Sequence, residues 1–79
     1  MTPVILSESR PVWGAGVRTL RGIHALTQSQ LAAAAGTSQS RISEIENGSR
    51  AVADSLRVRI ARALKVEPHE LFPYIEDGV

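Results

Sequence analysis

The chain has 79 residues, 43% of them hydrophobic, with two histidines, no cysteine and a net charge of +1. That length predicts a single domain near the lower limit for autonomous folding, since a compact domain this small buries only roughly 60% of its unfolded surface and gains from dimerisation. The lack of cysteine excludes disulfides, thiolate nucleophiles and cysteine-based zinc sites; the apolar runs Val4 to Leu6 and Leu31 to Ala35 are too short to cross a membrane and nothing resembles a signal peptide, so a cytoplasmic chain is expected.

Residues 1–12 read as an N-terminal arm, extended around Arg10. A first helix is predicted from about Val12 to His24, where Trp13, Val17 and Leu20 recur at helical spacing. Gly14, Gly16 and Gly22 weaken its intrinsic propensity, so tertiary packing has to hold it. The second helix has a physical start and stop. Thr27-Gln28-Ser29-Gln30 forms a capping box, in which the threonine side chain takes an orphan amide and Gln30 reaches back to the cap. Leu31, Ala32 and Ala35 then supply a small apolar face that another helix can approach closely. Gly36 ends the helix, because glycine adopts the left-handed conformation past a helix terminus at little steric cost.

Ser38 is the expected cap of a third helix. At about 100° per residue, Ile42 and Ile45 fall on one side while Ser40, Ser43, Glu44 and Asn47 fall opposite, flanked by Gln39 and Arg41. Two short helices joined at a glycine, the second with a polar outer face, have the layout of a helix-turn-helix. Those side-chain types match base edges and phosphates in the major groove of duplex DNA. After a loop from Asn47 to Ala53, Asp54 is the expected cap of a fourth helix. There Leu56, Ile60 and Leu64 repeat every four residues and Arg57, Arg59 and Arg62 lie outside that stripe. Pro68 suits the first position of a fifth helix, followed by Leu71, Phe72 and Ile75. The expected fold class is therefore all-α: a compact bundle of about five short helices over residues 13–75, with residues 76–79 as an acidic tail.

Charge is distributed unevenly. Residues 1–65 hold all nine Lys and Arg against Glu8, Glu44, Glu46 and Asp54, a net of +5, while residues 66–79 hold Glu67, Glu70, Glu76 and Asp77 and no base, a net of −4. This asymmetry fits a molecule that meets phosphates on one side while its carboxyl end points away.

The chain resembles the lambda-repressor-like, Cro and phage-repressor type of helix-turn-helix domain. The resemblance rests on Val17-Arg18, Arg21, Leu26-Thr27-Gln28, Leu31-Ala32, Gly36, Ile42-Ser43, Ile45-Glu46-Asn47-Gly48 and Ile60-Ala61-Arg62-Ala63-Leu64, and covers about residues 13 to 75. The chain departs from the pattern near Val52, where proline is usual, and at Ala25 and Lys65, where glycine is common. Helical arithmetic turns Arg21 inward beside Val17 and Leu20, and Glu46 inward beside Ile42 and Ile45; inward charges need partners. The resemblance implies that these two form a partly buried ion pair of structural rather than catalytic purpose.

It also implies that Gln28, at the amino end of the second helix, binds backbone phosphate. Gln39 and Ser40 are expected at base edges, and Arg41 at guanine or phosphate. Glu44 is expected either to accept from cytosine or to repel phosphate and so enforce register. Ser43, Asn47 and Arg50 are expected at phosphates, and Ser38 is grouped with this DNA-facing set. Phe72, Tyr74 and Ile75 are expected at a homodimer interface that places two recognition helices on an inverted repeat.

Catalysis is not expected. His24 and His69 are the only histidines, and no metalloprotease, nucleophile-elbow or phosphate-loop motif is present. No metal or cofactor is called for. The expected function is a small transcriptional repressor of the Cro or phage-immunity kind that binds a double-stranded operator. The alternatives are an antitoxin, which would also bind a toxin or another regulator, and a controller protein of a restriction-modification system.

Overall fold

A computed structural model of the chain describes the backbone of residues 6–72 and the side chains of residues 13–72. Five helices follow one another: α1 Leu6–Ile23, α2 Gln28–Ala35, α3 Gln39–Glu46, α4 Asp54–Ala63 and α5 Pro68–Leu71, with no strand among the described residues. The architecture is the all-α bundle that the apolar periodicity implies.

Local signals explain the central elements. Thr27 accepts from the Gln30 amide at 3.0 Å while the Gln30 side chain takes the Thr27 amide at 2.8 Å, which closes the capping box of α2. At the other end Gly36 adopts φ 69°, and the Gly36 and Thr37 amides donate back to the Ala33 and Ala32 carbonyls at 3.3 and 2.9 Å. This is a Schellman ending, which satisfies carbonyls the helix would otherwise orphan. Two residues on, Ser38 accepts from the Arg41 amide at 3.1 Å and starts α3.

The core is one cluster. Trp13 and Val17 of α1, Leu31 and Ala35 of α2, Ile42 and Ile45 of α3, Ile60 of α4 and Leu71 of α5 are all buried in it. α2 packs on both α3 and α4, and α1 crosses α3. That second crossing depends on Gly14, where an added Cβ would collide with the backbone carbonyl oxygens of Ile45 and Glu46. The glycine that weakens α1 as a helix is thus what lets α1 touch the end of α3.

Three expectations are corrected. α1 reaches back to Leu6, so the segment around Arg10 carries helical backbone instead of forming an extended arm, and α1 straddles the expected boundary between residues 12 and 13. Once a helix is nucleated and packed, adding residues is far cheaper than starting one. Asp54 does not cap α4. The cap position is Ala53, which makes no side-chain cap bond, and Asp54 is the first helical residue. There its carboxylate favours the positive end of the helix dipole and sits 3.5 Å from Arg57. Arg57 itself lies inside the fold and not beyond the apolar stripe. It is 7% exposed, its guanidinium 4.9 Å from the centre of the Trp13 ring, and its Nε donates to the Val52 carbonyl at 3.0 Å. An arginine can be buried here because its charge rests on aromatic faces and its donors are satisfied.

Candidate nucleic-acid interface

α2 and α3 present one continuous polar surface, and a single buried carboxylate organises it. The Glu46 side chain is fully buried at the end of α3. Arg21 of α1 grips it in a fork, Nε to Oε2 at 2.6 Å and Nη2 to Oε1 at 3.1 Å. The remaining Arg21 nitrogen donates to the Leu26 carbonyl at 2.9 Å, which ties down the turn into α2. Burial alone would raise the Glu46 pKa, but the hydrogen bonds from Arg21 and Gln28 and the charges of Arg21 and Arg18 outweigh it and hold the carboxyl below the usual carboxylate range.

From Glu46 the network runs outward. Gln28 Nε2 donates to Glu46 Oε1 at 3.0 Å, and Gln39 Nε2 donates to Gln28 Oε1 at 2.7 Å. The glutamine at the start of α2 is therefore fixed by the core, and it fixes the first residue of α3 in turn. Arg18 of α1 completes the other end. Its Nη2 donates to the Glu46 carbonyl at 3.3 Å and to Asn47 Oδ1 at 3.4 Å, a cation over the negative end of α3.

Ser40 and Asn47 are exposed on the outer side of α3, with Gln39 and Arg41 exposed beside them and Ser43 and Glu44 half-buried. Arg50, in the following loop, pairs with Glu44 at 2.6 Å. The Ser38 hydroxyl is occupied as the α3 cap. The fold thus brings Gln28, Gln39, Ser40, Arg41, Ser43, Glu44, Asn47 and Arg50 onto one side, backed by the Arg21–Glu46 pair. It adds Arg18, which sequence reasoning noticed only as part of a motif. Gly14, Arg18 and Arg21 are spaced i, i+4 and i+7 on one line of α1, so the inward placement of Arg21 was the signal for the other two.

Phe72 does not belong to a dimer surface. It is 1% exposed and meets Trp13 edge to face, with ring centroids 5.5 Å apart, so its area is already spent on the domain's own core. Tyr74 and Ile75 lie outside the described residues.

A helix-turn-helix family model, HTH_3, matches residues 17–71, which spans both helices of the polar surface and the elements that hold them. The chain belongs to that helix-turn-helix family. Its fold and family are those of DNA-binding transcription regulators and not of enzymes. Among solved structures, the domain is similar to the restriction-modification controller protein C.AhdI from Aeromonas hydrophila, at 35% identity and a TM-score of 0.76, covering 78% of this chain and 94% of that one. It is also similar to the clp gene regulator ClgR from Corynebacterium glutamicum, at 26% identity and a TM-score of 0.77, covering 92% and 90% of the two chains. A hypothetical transcription factor, NHTF, from Neisseria has the same fold, at 24% identity and a TM-score of 0.79, with 91% and 83% covered. No curated protein matches significantly. Among the described residues no group of side chains is suited to hold a metal ion, and no helix is long and apolar enough to cross a membrane.

Proposed function

We propose that this helix-turn-helix reads a specific duplex sequence as a small transcriptional repressor in the cytoplasm, two copies binding the halves of an inverted repeat. The observation that carries this reading is the relay from Arg21 through Glu46 and Gln28 to Gln39, which holds a polar reading edge rigid before DNA arrives. Gln39 has committed one amide hydrogen to Gln28 and keeps one donor and its carbonyl acceptor, the pair that matches adenine N6 and N7. Ser40 lies beside it for a second base edge, and Arg41 reaches guanine or phosphate. Gln28, Ser43 and Asn47 fix the docking angle through phosphates, joined by Arg18.

Two-fold pairing would set the half-site centres roughly 34 Å apart, one turn of DNA. Enrichment of duplexes from a randomised library by the full chain tests the reading. An enriched inverted repeat supports it, and a library returned without any sequence preference contradicts it. A controller of a restriction-modification system is the second reading, favoured by the likeness to C.AhdI over nearly the whole of that chain. Transcription from the protein's own promoter, measured with increasing protein, separates the two: repression throughout fits the first, and activation at low concentration fits the second.

A further inference from the structure

Glu44 poses a problem that the DNA-reading face leaves open, and its solution rests on that face. Between Thr27 and Arg50 the only carboxylates are Glu44 and Glu46. Glu46 is buried, whereas the Glu44 side chain is 47% exposed, one turn after Ser40 on the polar side of α3. An exposed carboxylate on a surface that approaches phosphates opposes binding to every sequence. The local structure shows that this one is held in place. Arg50 Nε donates to Glu44 Oε1 at 2.6 Å, and the loop carrying Arg50 is wound back onto the same residue. The Ser49 amide and hydroxyl both donate to the Glu44 carbonyl, at 3.0 and 3.1 Å. Backbone and side chain of Glu44 together thus set where Arg50 stands.

We infer that Glu44 is a specificity-determining residue that selects cytosine, and that Arg50 is the positioning residue that makes a carboxylate tolerable at that place. With Oε1 taken by Arg50, Oε2 accepts no hydrogen bond among the described residues, and the side chain is 47% exposed. In the major groove only cytosine offers a donor, its N4 amine, without an adjacent acceptor on the same base edge. Guanine O6 and N7 and thymine O4 repel a carboxylate, and adenine couples its N6 donor to the N7 acceptor. The Arg50 charge neutralises the carboxylate against the phosphates while leaving that discrimination intact. Four residues along a helix is about 6 Å, so the cytosine lies one to two base pairs from the bases read beside Ser40. This assignment replaces the phosphate contact expected of Arg50.

The test is enrichment from one randomised duplex library by the wild type, Glu44→Gln and Arg50→Gln in parallel, followed by titration of each protein on the enriched duplex and its single-base variants. The wild type is expected to demand cytosine at one position per half-site, with single substitutions there weakening binding by about 5- to 150-fold. Glu44→Gln is expected to lose that preference and keep all others, and Arg50→Gln to weaken binding to every duplex through the uncovered carboxylate. Unchanged preferences in Glu44→Gln, with uniformly tighter binding, would overturn the inference and leave a surface ion pair beside a working DNA reader. A wild type that enriches no sequence overturns the underlying reading as well, so the two failures are told apart. Both substitutions lie at an exposed pair, and circular dichroism of each variant checks that the helices persist.

Discussion

Gln28 and Glu46 are joined by a 3.0 Å hydrogen bond that connects the outer surface of the helix-turn-helix to its interior. The carboxylate that accepts it is shared with Arg21, so the same buried group closes the core and orients the first glutamine of α2. Stability and recognition are therefore coupled through one side chain.

Removing that side chain exposes the coupling. Glu46→Ala strands Arg21 beside the core and is expected to destabilise the fold by about 3–5 kcal/mol. Urea unfolding followed by circular dichroism measures it. A loss of less than about 1 kcal/mol, the range of an exposed pair, would show that the buried pair is energetically idle.

Acid should act through the same group. The Glu46 carboxyl is held below the usual carboxylate range in the folded chain, against about 4.3 for an unfolded glutamate. A folded pKa below the unfolded one means that the unfolded state binds the proton more readily, so the contribution is fully present above the unfolded pKa and is lost as pH falls through the folded value. Stability of the wild type should accordingly drop more steeply below about pH 4.3 than that of Glu46→Gln. Parallel acid titrations with identical slopes would contradict this.

Two turns carry a conformational cost that substitution can relieve. Ala25 and Lys65 adopt φ 55° and 61°, left-handed geometry that a Cβ disfavours, at positions where the resembled family commonly has glycine. Ala25→Gly and Lys65→Gly are each expected to stabilise the chain by about 0.5–1 kcal/mol, the relief of strain being partly offset by the freer unfolded chain. Thermal melts of the two single variants check this, and a lower melting temperature in either would contradict it.

Gly14 marks the opposite situation. Gly14→Ala improves α1 as an isolated helix yet drives a methyl into the backbone carbonyls of Ile45 and Glu46. Overpacking of this kind is expected to cost about 1–3 kcal/mol, outweighing the propensity gain, with the α1–α3 crossing shifted. Denaturant unfolding showing a more stable variant would mean that the crossing yields freely.

What was legible in the sequence is what local chemistry encodes. The Thr27–Gln30 box, the Gly36 ending and the Ser38 cap each require only residues within a few positions, and the Ile42–Ile45 stripe requires only helical periodicity. What was not legible depends on distant partners. Arg57 reads as a solvent-facing cation until Trp13 of α1 and Phe72 after α5 are folded around it. Gly14 reads as a weak helix residue until α3 ends against it. Phe72 reads as surplus apolar area until Trp13 is seen to cover it. Asp54 has the composition of a cap, but α4 begins one residue early and uses its carboxylate within the first turn.

The central claim is that the polar edge of α2 and α3 reads duplex DNA, and titration of the enriched duplex at 50 and 200 mM salt with the wild type, Gln28→Ala and Gln39→Ala tests it most directly. With Arg18, and Arg41 where it meets a phosphate, as the cations of each half, about two to four phosphates are neutralised in a dimer and wild-type affinity should fall by roughly 10- to 150-fold between the two salt concentrations. Gln39→Ala should lose discrimination at one or two base positions, by about 1–3 kcal/mol each, and Gln28→Ala, which removes a phosphate contact and also unties Gln39, should weaken all sequences and relax those same positions in part. A flat salt response, or equal and uniform losses from both substitutions, would contradict the assignment of this face to DNA.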